Sequence, residues 1–254
     1  MKKISFKLSA VLLLTLYAVS CAKEPDLGTV SLDPSSKTVT FGQVFNIKPV
    51  FSATGEAKNK TYTWKSSADS IASIKMVSGG FGEVTPKRIG QATMTYASTD
   101  GKITKTAIIT VDPRSTILNG VYFKNGATQS EINNNMLSGF SPSTLESTSS
   151  LLVFASGSST VSKLIYELDT SNKLKALYVI LNNTADNKKS AEDYLAERFM
   201  NTGKSQGGIL YYKNTGYVAS NSVPLKTALG LFFDLTINAT QYPLGVKIMD
   251  GSNL

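Results

Sequence analysis

The chain has 254 residues, 41% of them hydrophobic and 17% charged, with 26 Lys and Arg against 18 Asp and Glu, one Cys and no His. That length holds about two domains of ~100–200 residues, and the apolar content excludes a wholly disordered chain. The formal charge of +8 is scattered over short groups such as Lys58 and Lys60, Lys87 and Arg88, and Lys188 and Lys189. A nucleic-acid binder gathers its charge into a stripe with interleaved aromatics, so no nucleic-acid partner is expected.

In chain order, a basic start with Lys2, Lys3 and Lys7 precedes an almost wholly apolar stretch, Leu8 to Val19. This is the pattern of a secretory signal, and it is too short for the ~20 residues of a spanning helix. Ala18-Val19-Ser20-Cys21 closes the stretch. These four residues resemble the bacterial lipobox, in which small side chains precede a Cys that is diacylated and becomes the first residue after cleavage. The resemblance implies a signal peptide over 1–20, lipidation of Cys21 and a polar lipidated tether over 21–28. Lipid chains hold by burying CH₂ groups at ~0.8 kcal/mol each, so the expected partner is a membrane reached through the lipid anchor. Ala22 follows the Cys where Asp would retain a lipoprotein in the inner membrane. By that analogy the expected location is the outer membrane, with the cell surface and the periplasmic face both open. A lone Cys leaves no intrachain disulfide.

Residues 29–112 read as strand after strand. Val30 and Leu32, Val39 and Phe41, Phe45 and Ile47, and Tyr62 and Trp64 alternate with polar neighbours. So do Ala92, Met94 and Tyr96, and later Ala107, Ile109 and Val111. Turn signals at Asp33-Pro34-Ser35, Thr54-Gly55, Ser78-Gly79-Gly80 and Asp100-Gly101 separate them. About seven short strands of this kind suit an antiparallel sandwich. Three blocks also carry a family likeness: Val30-x-Leu32-x-Pro34 with Thr38-Val39-x-x-Gly42, the run Tyr62 to Ile74 containing Trp64-Lys65-Ser66-Ser67, and Gly82-Glu83-Val84-Thr85 followed by Gly90 to Thr95. In this order they resemble bacterial Ig-like domains of group 2, departing at Lys65 and Pro86, where Ser and Ala are common. The resemblance implies an Ig-like sandwich that serves as a spacer or adhesion module, with Trp64 in the core. Gly42 and Gly90 are expected at turns.

Pro113-Arg114-Ser115 marks the boundary to a second domain over 113–254. Thr128-Gln129-Ser130-Glu131 is a capping-box signal, and Ser190 to Met200 has the pattern of a helix capped by Ser190 and stopped at Gly203. Strands are expected at Leu151–Ala155, Leu164–Asp169, Leu174–Leu181, Ile209–Lys213, Tyr217–Ser220, Leu229–Ile237 and Val246–Met249, with a loop over Ser141–Ser150. The expected fold class is therefore an all-β Ig-like sandwich followed by an α+β domain, an antiparallel sheet with one or two helices on one face. Anchor, sandwich and C-terminal module together resemble the cell-surface and adhesion lipoproteins of Bacteroidetes.

The absence of His removes Ser-His and Cys-His pairs and His-rich zinc sites. Gly203-Lys204-Ser205 has Arg198 where a phosphate loop needs its first Gly. No catalytic residue, cofactor or metal site is expected. Glu167 and Asp169, two apart on a strand, would share a face, and a glycosidase needs carboxylates ~5–9.5 Å apart; a carboxylate-dependent hydrolase is thus a minor alternative. Asp234 lies among apolar neighbours that would partly bury it. Tyr211, Tyr212, Tyr217 and Tyr242 are candidate ligand-binding residues, since Tyr joins an aromatic face to a polar tip. Tyr211 and Tyr212 are adjacent on a strand, so only one is expected to face the core. The leading expectation is a non-catalytic, membrane-anchored surface lipoprotein for adhesion or for binding a glycan or protein ligand. The alternative is a glycan-binding accessory protein of a polysaccharide uptake system.

Overall fold

A computed structural model describes residues 26–206, 209–213, 227–237 and 239–250. The N-terminal region is a sandwich of two four-stranded sheets. One sheet runs β1 (Val30–Asp33), β3 (Phe45–Phe51), β6 (Gly82–Pro86), β5 (Ala72–Met76). The other runs β2 (Ser36–Thr40), β8 (Thr104–Asp112), β7 (Gly90–Ser98), β4 (Tyr62–Ser66). There are thus eight strands where seven were expected. The β2–β8 pair is parallel and the remaining pairs are antiparallel.

Period-two alternation produces this arrangement. Along β7, Ala92, Met94 and Tyr96 point inward, and they meet Ile47, Ala72, Val84, Ala107 and Ile109 in one core. Tyr96 stacks on Tyr62 with centroids 4.3 Å apart and tilts against Trp64 at 4.6 Å. Trp64 is half-buried, packs on this core and donates its indole N–H to the Gly80 carbonyl at 3.2 Å. A Cβ on Gly82 would lie 2.6 Å from Ile74 and 2.8 Å from the Trp64 ring. Glycine there lets the indole lie against a strand of the facing sheet. Gly42 takes a φ of +80° at a turn as expected, whereas Gly90, with a φ of +135°, is the first residue of β7, paired with Val111, rather than a turn residue.

The C-terminal region is an eight-stranded antiparallel sheet. Its strands are β9 (Phe140–Pro142), β10 (Leu151–Ser156), β11 (Val161–Leu168), β12 (Leu174–Leu181), β13 (Met200–Gln206), β14 (Ile209–Lys213), β15 (Thr227–Ile237) and β16 (Thr240–Asp250). They lie in the order β13-β14-β15-β16-β12-β11-β10-β9. Among the described residues two α-helices accompany them, α1 (Gln129–Asn134) and α2 (Ala185–Arg198).

Helix α1 begins at the expected capping box: Thr128 Oγ1 accepts from the Glu131 N–H at 3.2 Å, and Glu131 accepts from the Thr128 N–H at 2.8 Å. Helix α2 differs from the sequence reading. Its cap is Thr184, whose hydroxyl accepts from the Asn187 N–H, so it starts before Ser190. It stops at Arg198 rather than Gly203, because Met200–Gln206 is drawn into the sheet as β13 and Phe199 is already extended. The expected loop at Ser141–Ser150 is anchored at both ends. Phe140–Pro142 pairs with β10, the Ser143 N–H donates to the Val153 carbonyl, and the Leu151 N–H donates to Thr148 Oγ1. The expected strand at Tyr217–Ser220 lies outside the described residues.

At its middle strand β12 this sheet is buried on both faces. In β12 every residue except Lys175 is inaccessible. Leu177, Val179 and Leu181 face the core that contains Ala191, Leu195 and Phe199 at α2. Ala176, Tyr178 and Ile180 face a second core with Ile165, Ile209, Tyr211, Phe232 and Tyr242. Among the described residues, no helix is long and apolar enough to cross a membrane.

Candidate functional site

The sandwich and the C-terminal region meet at the end of α2. Glu197 is fully buried, and its carboxylate accepts from the backbone N–H groups of Arg114 (2.7 Å) and Ser115 (3.1 Å). The Arg198 guanidinium, also buried, bonds the same carboxylate and lies over the Tyr194 ring at 3.9 Å. From the sandwich side, the Ile89 N–H donates to the Glu197 carbonyl at 2.9 Å. The Arg114 side chain reaches back to the Phe41 carbonyl at 2.8 Å and lies 3.6 Å from Asp193. Glu197 was not singled out from the sequence. Its one signal is an acidic residue in the last turn of a helix, where the dipole disfavours negative charge, so a specific partner is needed to hold it there.

Beside this joint lies a cleft of about 520 Å³. Its floor carries Phe199 and Tyr212, both almost fully buried, and its rim carries Asp69, Lys87, Arg88 and Asn201. The rim is well braced. The Lys87 and Arg88 N–H groups both donate to the Ile71 carbonyl, at 2.7 and 3.0 Å, which ties the β6–β7 turn to the β4–β5 turn bearing Asp69. Burial raises the Tyr212 pKa above its ordinary value, and the Glu192 carboxylate adds to the effect.

The predicted tyrosines are distributed differently from the expectation. Tyr211 and Tyr212 are both buried, 4% and 8% exposed, because each side of the sheet is a core. Tyr212 joins the helix-side core and lines the cleft, whereas Tyr211 lies in the second core beside Gly230. Tyr242 joins Tyr211 in the second core, with the Lys163 ammonium 5.7 Å from its ring. Burial raises its pKa, opposed by that ammonium. Tyr217 and Cys21 lie outside the described residues.

The two carboxylates considered as a pair have separate engagements. Asp169 follows the end of β11 and accepts from the Ser171 and Lys173 N–H groups in the turn at Asn172, whose φ is +57°. Glu167 binds Lys175 through one oxygen and the Tyr178 hydroxyl through the other, both at 2.8 Å. Burial works to raise the Glu167 pKa, but these two bonds outweigh it and hold it below the ordinary value. Lys247 lies over the Tyr178 ring at 5.3 Å, and burial lowers its pKa against the pull of Glu167. Asp234 is exposed rather than partly buried. Its φ of +58° interrupts the alternation of β15: Phe232 and Leu235, three apart, both face the second core.

No family model matches the chain, and no curated protein matches it. Among solved structures it is similar to the S-layer protein SbsC, domains 5-6, at 13% identity and TM-score 0.31, over 91% of this chain and 88% of that one. It is also similar to the surface layer protein SbsC, domains 1-6, at 14% identity and TM-score 0.31, over 89% of this chain. A third structure, the S-layer protein rSbsC(31-844), aligns at 13% identity and TM-score 0.31 over 90% of this chain. The chain spans only 22% of each of the latter two.

Proposed function

We propose that this chain is a non-catalytic surface lipoprotein, tethered through Cys21, whose Ig-like sandwich is a stalk presenting the C-terminal domain for adhesion or ligand capture. The observation that carries the reading is the joint at Glu197. The Glu197 carboxylate fixes the connecting Arg114 and Ser115 N–H groups, while the Ile89 N–H on the Glu197 main-chain carbonyl and the Arg114 guanidinium on the Phe41 carbonyl cross to the sandwich, as a support couples to what it holds. The absence of His and the separate engagements of Glu167 and Asp169 support a non-catalytic role.

Two measurements test it. Expressed in a Gram-negative host with a clickable palmitate analogue, the full chain becomes labelled and fractionates with the outer membrane, whereas Cys21→Ser loses both properties; an unlabelled wild-type chain overturns the tether. On an array of glycans, matrix proteins and envelope components the full chain retains at least one class, and no retention overturns the binding role. A second reading, a glycan-binding accessory protein of an uptake system, is favoured by one observation: Tyr212 lies at the floor of a cleft with a polar rim.

A further inference from the structure

We infer that the cleft between the sandwich and the eight-stranded sheet is a saccharide site, with Tyr212 and Phe199 as its apolar floor and Asp69, Arg88, Lys87 and Asn201 as its hydroxyl-reading rim. This rests on the ligand-binding reading above and assigns it a place and a ligand class. A volume of about 520 Å³ falls within the ~300–1,000 Å³ of small-molecule sites. Ligand sites also occur preferentially between domains.

The chemistry of the lining narrows the class. A pyranose ring presents patches of C–H on its faces and a belt of hydroxyls, each both donor and acceptor. The cleft offers the complement. Phe199 and Tyr212, each only slightly exposed, form the floor. On the rim, Asp69 is an acceptor and Arg88 and Lys87 are donors, while Asn201 offers its amide N–H groups, its Oδ1 already accepting from the Gly203 N–H at 2.8 Å. A ligand that is purely anionic would suit Lys87 and Arg88 but would meet Asp69 on the rim and Glu192 near Tyr212. A purely apolar ligand would strand the rim groups. A polyhydroxylated ring satisfies both signs at once.

Preorganisation points the same way. On the sandwich side the rim belongs to turns cross-tied through the Ile71 carbonyl, Ile89 fastens the next residue to α2, and Asn201 lies on β13. Little ordering cost is then left to binding. The other sequence-predicted tyrosines do not compete for the role, since Tyr211 and Tyr242 lie in the second core, away from the cleft lining.

Saturation-transfer NMR and calorimetry on the full chain, with mannobiose, chitobiose and digalacturonate as probes, test the site. The expected result is binding of at least one probe, weakened tenfold or more by Asp69→Ala combined with Asn201→Ala. Both residues are exposed, and because Asn201 also accepts from the Gly203 N–H within β13, near-UV circular dichroism checks that the doubly substituted chain keeps its fold. Tyr211→Phe, in the second core, leaves the affinity unchanged. Saccharide binding that survives the double substitution overturns the cleft as the site. A chain that binds a protein on the array but no saccharide probe overturns the ligand class and leaves the adhesion reading intact. A chain that binds nothing overturns both.

Discussion

The sandwich and the eight-stranded sheet are both built from antiparallel strands, yet they bury themselves in different ways. In the sandwich one set of side chains per strand points inward, and a single core forms between two sheets. In the C-terminal region a single sheet carries a core on each side, so β12 is apolar on both faces. Helix α2 belongs to one of those cores, and its last turn carries the contact with the sandwich. Alternation is therefore a sound guide to which way a strand faces only where one face meets water. On a sheet buried on both sides, adjacent tyrosines such as Tyr211 and Tyr212 can both be core residues.

The largest way to break the comparison is to separate the two regions. Glu197→Ala leaves the Arg198 guanidinium buried without its partner and frees two backbone donors, and breaking a buried pair typically costs ~3–5 kcal/mol. Urea unfolding of the full chain should show a loss of that order. It should also lose cooperativity, since the carboxylate fixes the connecting Arg114–Ser115 segment, while the Ile89 bond to the Glu197 main-chain carbonyl remains. A single unchanged transition would show that they are held together by other contacts.

Glycine substitutions come next and compare the cores directly. At Gly245 an added Cβ would strike the Phe232 ring and come 2.6 Å from the Val179 carbonyl oxygen, in the middle of the sheet. At Gly82 it would strike Trp64 and Ile74 within the sandwich. Overpacking a filled core costs ~1–3 kcal/mol. Gly245→Ala should lie toward the upper end, because one of its clashes is with backbone, and Gly82→Ala toward the lower, because side chains there can shift. Thermal unfolding of both variants checks the order, and the reverse order would mean that the second core is the looser one.

A smaller effect, of opposite sign, is expected at Tyr166. Its ring is completely buried at the helix-side core, in an edge-on contact with Phe154, and among the described residues its hydroxyl has no hydrogen-bond partner. Burial raises its pKa strongly. Removing an unsatisfied buried hydroxyl removes its desolvation cost, so Tyr166→Phe should leave stability between unchanged and ~1 kcal/mol higher. A measured loss would show that an ordered water satisfies the group.

The smallest effects are on the surface, one in the sandwich and one beside α1. The Glu131 carboxyl is lowered from 4.5 to about 2 by Lys124 and by the Thr128 N–H and hydroxyl at the capping box. Asp100, in the sandwich, is held well below the carboxylate range by Lys60, the Ser98 hydroxyl and the Lys102 N–H. Both folded-state values lie below the unfolded ones. Each contribution is therefore complete above the unfolded pKa and is lost as the pH falls through the folded one. For Glu131 that window runs from about 4.5 down to about 2, and for Asp100 it extends lower. Carboxyl NMR titration should find the Glu131 pKa raised in Lys124→Met and the Asp100 pKa raised in Lys60→Met, each without effect on the other carboxyl.

What was legible in the sequence is what short-range physics decides. The strands of the sandwich announced themselves through alternation and turn residues, and α1 through Thr128 and Glu131, because a capping box is complete within four residues. The start of α2 was misplaced because both Thr184 and Ser190 can cap a helix, and only the packing of Ala191, Leu195 and Phe199 on the sheet selects between them. Its end was misplaced because β13 exists only through its pairing with β14. The joint at Glu197 unites residues more than 80 positions apart, and the cleft unites Asp69 with Tyr212. No local pattern encodes such distances. Composition and local periodicity determined a β-rich chain without histidine chemistry and with a lipobox-like start. Tertiary structure alone decided which tyrosine lines a cleft, because that depends on which side of a doubly buried sheet meets the sandwich.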